Sequence, residues 1–223
     1  MEKENRVVIL GVNNRLLELI GLLEQQGYSL TVVSRYISEF KDKLRESIVL
    51  IESDFLEREV LQQLDIGSCF AVVILAESRN LSARDTDARS VVATLSVESM
   101  NAEVRTIVEV LTEESEFHLR HAGVDEIITS GSLTADILAF STDHLNFSQH
   151  LNLLLRFAHQ NRIETAPVTA RFSGKTLREV VPLMASTRRI LLAVRPNGER
   201  REETLDPSYV LEETDHIVYI DML

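Results

Sequence analysis

Short apolar runs and segments with helical spacing alternate along the first 130 residues of the chain. The first cycle is an apolar run at 7–10, followed by apolar residues at i, i+3, i+4 and i+7, which are Leu16, Leu19, Ile20 and Leu23. The same pattern predicts strands at 30–33, 48–51, 71–75, 106–110 and 126–128. These runs are continuous rather than alternating, which is typical of strands covered on both faces. The sequence therefore predicts an α/β fold with a Rossmann-like, doubly wound parallel sheet of about six strands.

The segments between the strands have apolar residues on one helical face. The helix at 57–64 carries Val60, Leu61 and Leu64. The helix after the fourth strand is predicted to bury the face formed by Ala88, Val91, Val92 and Leu95.

The last part of the chain differs in composition from the first. All four prolines lie at or beyond Pro167, and because proline interrupts regular structure, this shift predicts a module boundary near 163–167. We expect strands at 168–172, 190–195 and 217–220 and a helix at 175–184. A turn at Pro196-Asn197-Gly198 is expected to lead into a returning strand. The pattern indicates a small α+β subdomain.

Two amphipathic helices connect the predicted modules. Their apolar positions are Leu133, Ile137, Leu138 and Phe140 in the first helix and Leu151, Leu154, Leu155 and Ala158 in the second. They carry more leucine than the predicted core needs, so we expect them to pack across a dimer, and packing on their own domain is the alternative. The predicted organisation is a Rossmann-like domain at 1–130, linking helices at 131–165 and a subdomain at 166–223.

Composition and charge narrow the classes of function. Of the 223 residues, 44% are hydrophobic, and 35 acidic residues against 23 basic ones give a net charge of −12. Because the chain has no run rich in Lys or Arg, nucleic acid is not an expected partner. The longest uncharged apolar stretch, 66–76, is too short to span a bilayer, and the single Cys69 cannot form an internal disulfide. We expect a soluble chain in a reducing, cytoplasmic setting, with no transmembrane segment.

The turn after the first strand departs from the dinucleotide-binding pattern G-x-G-x-x-G. That pattern lets backbone N–H groups reach a pyrophosphate at a helix N-terminus, because glycine has no Cβ atom. Here the segment is Gly11-Val12-Asn13-Asn14-Arg15-Leu16, so only the first glycine is present. NAD in its usual pose is therefore disfavoured, and a structural turn capped by Asn13 or Asn14 is favoured.

A nucleotide remains a candidate ligand at this edge of the sheet. Ser34 stands where an acidic residue would bind the ribose hydroxyls, and Arg35 could contact a phosphate. The candidate cofactor-binding residues are Gly11, Asn13, Asn14, Ser34, Arg35 and Asp54.

Several segments in this order resemble a known family. They are 7–33, Ser53-Asp54, 71–75, Asp85-Thr-Asp-Ala88, Arg105-Thr-Ile-Val-Glu109 and Leu119-Arg-His-Ala-Gly-Val-Asp125. Together they resemble the TrkA-N or RCK (regulator of K⁺ conductance) domain. Phe172-Ser-Gly-Lys-Thr-Leu177, 190–195 and Leu211-Glu-Glu-Thr-Asp-His-Ile-Val218 are similar to the smaller RCK-C subdomain. Family members usually have Gly-Asp where Ser53-Asp54 and Thr214-Asp215 stand, so both turns depart from the family pattern.

The resemblance implies a ligand-sensing role rather than catalysis. The segments Gly11-Val-Asn-Asn-Arg-Leu16, Asp85-Thr-Asp87 and Thr106-Ile-Val-Glu-Val110 look closest to the Castor/Pollux type of ion channel. RCK domains pair, and the pairs assemble into an octameric gating ring whose expansion pulls on pore helices. The resemblance therefore implies self-association and a membrane pore as partners.

Acidic residues follow the fourth and fifth predicted strands. Glu109 lies in an otherwise apolar strand, and a buried carboxylate needs a cation, an arginine partner or a proton. Several RCK rings sense Ca²⁺, so the resemblance implies a calcium site whose candidate ligands are Glu77, Asp85, Asp87 and Glu109. The alternative is an ion pair from Glu109 to Arg89 or Arg79, with the remaining acids in solvent. Leu75 and Leu111 stand where some relatives have calcium carboxylates, so the site of those relatives is not copied.

The resulting hypothesis is a cytoplasmic gating-ring domain of a channel for potassium or another cation. It would form a dimer, then an octameric ring, and act on a pore in the same or a separate chain. Ca²⁺ is the expected ligand, NAD or ATP is the second candidate, and no catalytic residue is assigned. Two alternatives stay open, which are a nucleotide-dependent enzyme on the same sheet and a detached regulatory subunit of a cation transporter.

Overall fold

A computed structural model describes residues 5–198 and 204–222, and the chain divides into two compact units, Met1–Phe140 and Ser141–Leu223. The strands of the first unit are β1 (Arg6–Leu10), β2 (Ser29–Val33), β3 (Val49–Ile51), β4 (Ala71–Ile74), β5 (Arg105–Val110) and β6 (Glu126–Thr129). They form one sheet of order β3-β2-β1-β4-β5-β6, and every neighbouring pair is parallel. The predicted Rossmann-like sheet is confirmed, and its strand order reverses between β1 and β4.

Helices cover both faces of this sheet. They are α1 (Leu16–Gln25), α2 (Arg58–Gln63), α3 (Ala83–Met100) and α4 (Glu116–Ala122), with short 3₁₀ segments at Ile37–Lys43, Ile66–Ser68 and Glu113–Ser115. Helix α5 (Ser130–Asp143) follows β6, continues past the division between the two units, and has Ser130 as its buried residue. Val8 and Leu10 of β1 pack in one core cluster with residues of α2, α3 and α4, whereas Val7 and Ile9 pack in a second cluster with residues of α1. Each side of the strand needs apolar residues, which explains the continuous apolar run.

The buried face of α3 differs from the prediction. Val92 and Leu95 are 48% and 51% exposed, and the buried positions are mostly polar, namely Thr86, Asp87, Ser90, Ala93, Thr94 and Val97. The hydroxyl of Thr94 donates to the carbonyl of Ser90 at 2.8 Å, so this face satisfies some of its polar groups within the helix. Apolar periodicity alone therefore pointed to the wrong side of the helix.

Two glycines allow close backbone approaches in the first unit. Gly11 follows β1 with φ +87°, and a Cβ atom there would lie 2.8 Å from the carbonyl oxygen of Leu75. Gly131 lies in the first turn of α5, where a Cβ atom would lie 2.6 Å from the carbonyl oxygen of Leu111. Both contacts leave room for a hydrogen atom but not for a methyl group.

The second unit contains a small antiparallel sheet. Its elements are α6 (Phe147–Gln160), β7 (Arg162–Pro167), α7 (Leu177–Ala185), β8 (Arg189–Arg195), a 3₁₀ turn at Pro196–Gly198 and β9 (His216–Asp221). The strand order is β7-β9-β8, and α7 packs on one face of this sheet in a third core cluster. Glu179 accepts a hydrogen bond from the Thr176 N–H at 2.8 Å and so caps the start of α7. The predicted α+β subdomain has this architecture.

The first strand of this subdomain lies earlier than predicted. Residues 168–172 form no strand, and the chain turns there, with the N–H of Phe172 donating to the carbonyl of Thr169 at 2.9 Å. The strand is β7, which lies at the edge of the sheet and alternates exposed with half-buried residues. Its charged residues hid it from a search for apolar runs. The start of the predicted returning strand falls in 199–203, outside the described residues, and Thr204 pairs with Val194.

Among the described residues, no helix combines the length and the hydropathy that crossing a membrane requires.

Candidate functional site

The carboxyl ends of the parallel strands gather most of the predicted site residues. Ligands of open α/β sheets bind at this edge, where the strand order reverses, which here is between β1 and β4. Gly11 follows β1 and Ser34 follows β2, while Asp54 and Glu77 lie in the connections after β3 and β4, and Glu109 is near the end of β5. The positive φ of Gly11 turns the chain sharply ahead of α1.

Glu77 is 4% exposed and accepts hydrogen bonds at this turn. Its Oε2 atom accepts from the backbone N–H of Val12 at 2.9 Å and also from the hydroxyl of Ser34. Ser34 in turn accepts from the N–H of Tyr36 at 2.9 Å. Glu77 therefore ties the loops after β1, β2 and β4 together.

Glu109 is 6% exposed and is held from three directions. Its Oε2 atom accepts from the side-chain amide of Asn13 at 2.7 Å and from the backbone N–H of Ala76 at 3.1 Å. Its Oε1 atom lies 3.0 Å from the guanidinium of Arg15. The alternative that paired Glu109 with Arg89 or Arg79 was wrong in its partner, because these two arginines pair with Asp54 and Glu39 instead.

Asn13 uses both donors of its amide and its oxygen inside the turn. Besides donating to Glu109, its Nδ2 atom donates to the carbonyl of Ala76 at 3.2 Å, and its Oδ1 atom accepts from the N–H of Arg15 at 3.0 Å. Asn13 therefore closes a turn ahead of α1, but the predicted cap by Asn13 or Asn14 is not formed, because Arg15 stands at the N-cap and the helix has no side-chain cap hydrogen bond. The Asn13 side chain points towards the loop after β4, into the region where a dinucleotide would run.

Asp54 joins Arg35 and Arg89 at the end of β3. Its carboxylate lies 2.9 Å from each guanidinium and accepts from the N–H of Leu56 at 3.0 Å. Burial alone would raise the pKa of Asp54, but the Leu56 hydrogen bond and the charges of Arg89 and Arg35 outweigh it and hold the pKa below 3.8. The guanidinium of Arg89 also lies over the ring of Phe55, 5.0 Å from its centre.

Asp87 and Asp85 have separate structural environments at the start of α3. Asp87 is fully buried and accepts from the N–H groups of Leu111 and Thr112 at 2.8 and 3.0 Å, as well as from the hydroxyls of Thr112 and Ser115. Asp85 is exposed and accepts from the hydroxyl of Ser82 at 2.6 Å. Neither residue shares a partner with Glu77 or Glu109.

The four candidate metal ligands Glu77, Asp85, Asp87 and Glu109 are thus held by different groups. In the part of the chain that the structure describes, no group of three or more His, Cys, Asp and Glu residues could hold a metal ion. Glu77 and Glu109 both lie at the turn after β1, and the structure does not bring Asp85 and Asp87 to them.

A cleft of about 720 Å³ opens beside the same turn. Its walls include Val12, Asn14, Phe40, Lys43, Arg79 and Asn80. Arg79 pairs with Glu39 across it. Sequence patterns missed Arg15, Phe40 and Lys43 at this edge. The signal that could have found Arg15 is its position in the turn itself, one residue ahead of α1.

The sheet topology and this edge define the class of protein as a Rossmann-like domain with a modified dinucleotide turn. The chain belongs to the TrkA-N domain family, whose model matches residues 7–130. The predicted resemblance to this family is confirmed.

A curated relative and two solved structures are similar to the chain. The calcium-gated potassium channel TvoK of Thermoplasma volcanium is 20% identical over 177 residues, which cover 78% of this chain and 50% of that protein. The human SLO3 gating ring superposes with a TM-score of 0.69 at 16% identity, covering 96% of this chain and 44% of that one. The GsuK channel bound to NAD superposes with a TM-score of 0.52 at 18% identity, covering all of this chain and 37% of that one. The chain thus spans half or less of the length of these proteins, and the structural likenesses show the fold.

Proposed function

We propose that the chain is the regulatory, ligand-sensing domain of a channel for potassium or another cation. Three similar proteins support this function, because one is named a calcium-gated potassium channel, one a gating ring and one a channel bound to NAD. The domain senses its ligand at the carboxyl edge of the six-stranded sheet, lies on the cytoplasmic side of the membrane and is not an enzyme.

The observation that carries the proposal is the exposed apolar face of α6. Leu154 and Leu155 are each 51% exposed and lie three and four residues after the half-buried Leu151, so the three share one helical face. Leu133 on α5 is 52% exposed. Surface leucines of this density mark a contact with another protein surface. A second copy of the chain is the occupant we propose, because two such helices would then bury their leucines against each other.

The proposed assembly is a dimer and then an octameric ring that acts on a membrane pore in the same or a separate chain. In this organisation residues 1–130 sense the ligand, 131–165 pair the copies and 166–223 form the smaller subdomain. Shifting a gate from 1:99 to 99:1 takes about 5.5 kcal/mol of differential binding, so each of eight domains needs to supply only ~0.7 kcal/mol. A weak site in each domain is therefore sufficient.

Ca²⁺ is the first ligand to test and a nucleotide is the second. The similarity to a calcium-gated channel of Thermoplasma favours Ca²⁺, and the similarity to a GsuK channel that binds NAD favours a dinucleotide. The side chains of the edge favour neither ligand by themselves, because Glu77 and Glu109 accept from protein donors and Arg35 is paired with Asp54.

Light scattering of the purified chain tests the assembly. We expect a dimer or a larger species for the wild type and a monomer for Leu154→Glu combined with Leu155→Glu. The control is Leu22→Glu on α1, which removes an exposed leucine from another surface and is expected to leave the mass unchanged. A wild type that stays monomeric at high concentration, with and without Ca²⁺, would contradict the proposal.

A further inference from the structure

The backbone N–H groups of the turn after β1 help to choose between Ca²⁺ and a nucleotide as the ligand. In a dinucleotide site the backbone N–H groups of this turn point at the pyrophosphate. Here the N–H groups of Gly11, Val12, Arg15 and Leu16 have acceptors within the protein, which are Val33 O, Glu77 Oε2, Asn13 Oδ1 and Asn13 O. Internal groups therefore use four of the six N–H groups between Gly11 and Leu16, and those of Asn13 and Asn14 have no acceptor among the described residues.

Two of the residues that accept hydrogen bonds around this turn are buried carboxylates. Glu77 takes the Val12 N–H, and Glu109 takes the Ala76 N–H, the Asn13 amide and the Arg15 guanidinium. A carboxylate has the same sign of charge and the same kind of acceptor oxygen as a phosphate. The two glutamates thus bring the negative charge that a cofactor would otherwise bring.

The residues of this turn do not fit a dinucleotide. A pyrophosphate placed there would face two carboxylates in a poorly solvated region, where repulsion between like charges is strong. Asn13 and Leu16 stand at the two positions where the motif has glycines, and Leu16 is fully buried in the core. Neither side chain can leave without breaking hydrogen bonds or core packing.

We infer that Glu77 and Glu109 are built-in anions that replace the pyrophosphate of a dinucleotide and close this turn to phosphorylated ligands. The inference rests on the proposed function only in taking the carboxyl edge as the sensing face. It makes Glu77 and Glu109 the residues that determine which ligand chemistry the edge accepts. A ligand sensed by the domain then binds without using the N–H groups of Gly11, Val12, Arg15 and Leu16.

The first test is titration of the wild-type chain with NAD, ADP and inorganic pyrophosphate. Calorimetry and thermal shift measure the binding. We expect no saturable binding of any of the three. Saturable binding of NAD or pyrophosphate to the wild type would overturn the inference, whatever the oligomeric state. The proposed function is decided separately, by light scattering.

Rescue of a deletion variant by added anions is the second test. Glu109→Ala removes the carboxylate and leaves its donors free, so we expect pyrophosphate to bind this variant at least about tenfold more tightly than it binds the wild type. Glu114→Ala, which removes an exposed acid after β5, is the matched control and is expected to bind no better than the wild type. Sodium chloride at equal ionic strength corrects for general salt effects.

The rescue remains decisive when the variant is unstable. If the Glu109→Ala variant folds only when pyrophosphate or phosphate is added, that result supports the inference. The Glu77→Ala variant is a second test, and we expect the same rescue by added anions. If both variants fold and neither binds pyrophosphate better than Glu114→Ala does, the glutamates are not anion replacements and the inference fails. If neither folds, the wild-type titration decides.

Discussion

Three glutamates at the two edges of the six-stranded sheet differ in the hydrogen-bond donors that surround them. At the carboxyl edge, Glu77 and Glu109 accept from backbone and side-chain donors. At the amino edge, Glu98 at the end of α3 lies close to Thr106 of β5 and Asp125 before β6. Glu98 Oε1 and the fully buried Thr106 Oγ1 have no hydrogen-bond partner among the described residues. Glu98 is half-buried, so its carboxylate is partly withdrawn from water without a donor for Oε1.

The pKa values of two acids at these edges move in opposite directions. Burial raises the pKa of Glu98 above 4.5, the nearby Thr106 hydroxyl offsets only part of this rise, and the charge of Asp125 adds to it. The pKa of Asp54 at the carboxyl edge is held below 3.8 despite its burial, by the Leu56 N–H and two arginines. The difference predicts opposite effects of pH on the two edges.

The largest expected effect comes from Asp87 at the carboxyl edge. Asp87→Ala leaves two half-buried N–H groups and two hydroxyls without their acceptor, so we expect a loss of about 3 kcal/mol in the free energy of unfolding. The exposed neighbour Asp85→Ala is the control, with an expected loss of about 0.5 kcal/mol. Urea unfolding measures both, and equal losses would show that the Asp87 hydrogen bonds contribute little.

Gly11 gives the next largest effect. Gly11→Ala places a methyl group 2.8 Å from the Leu75 carbonyl at a positive φ, and we expect a loss of about 2 kcal/mol. Gly21, in the middle of α1, has no heavy atom within 4 Å of its Cβ position. Gly21→Ala is therefore expected to gain about 0.5–1 kcal/mol, because alanine favours the helix. Thermal melting of both variants checks the opposite signs.

The smallest expected change in the free energy of unfolding comes from Glu98 at the amino edge. Since the pKa of Glu98 is raised on folding, its ionisation costs stability as the pH rises from 4.5 through the folded-state value. We expect Glu98→Gln to gain about 0.5 kcal/mol at pH 7, once solvent screening is allowed for, and the gain to shrink below pH 4.5.

Asp54→Asn is the counterpart of that variant at the other edge. A lowered pKa means that wild-type stability is present above 3.8 and is lost as the pH falls through the folded-state value. Asp54→Asn is therefore expected to be destabilised at neutral pH and to approach the wild type in acid. Denaturation curves across pH compare the two variants, and pH dependences of the same sign would remove the contrast between the edges.

The strands could be predicted from sequence more completely than the buried face of α3. Continuous apolar runs identify β1, β2 and β4 because both faces of a parallel sheet need apolar residues. The α3 face escaped because Asp87 and Thr94 satisfy their polar groups locally or with a following loop, which no apolar count can show. Strand β7 escaped because an edge strand tolerates charges such as Arg162 and Glu164.

The sequence predicted that the candidate site lies at the carboxyl edge of the sheet, but it did not predict the hydrogen-bond and ion-pair partners of its residues. Glu77 and Glu109 were found because acids beside apolar strands are unusual, and strand ends meet at one edge. Their partners depend on side chains that come from loops far apart in sequence, so Arg15 could not be preferred to Arg79 or Arg89 by spacing. The sequence showed that Asn13 replaces a glycine of the dinucleotide motif. In the structure its side-chain amide fills the turn and makes three hydrogen bonds there.

The close approach at Gly131 limits which residue the first turn of α5 can carry. A Cβ atom at position 131 would lie 2.6 Å from the backbone carbonyl oxygen of Leu111. Any other residue would therefore displace either this turn or the loop after β5, because the obstacle is backbone and not a flexible side chain. The glycine thus sets how near the start of α5 can lie to that loop.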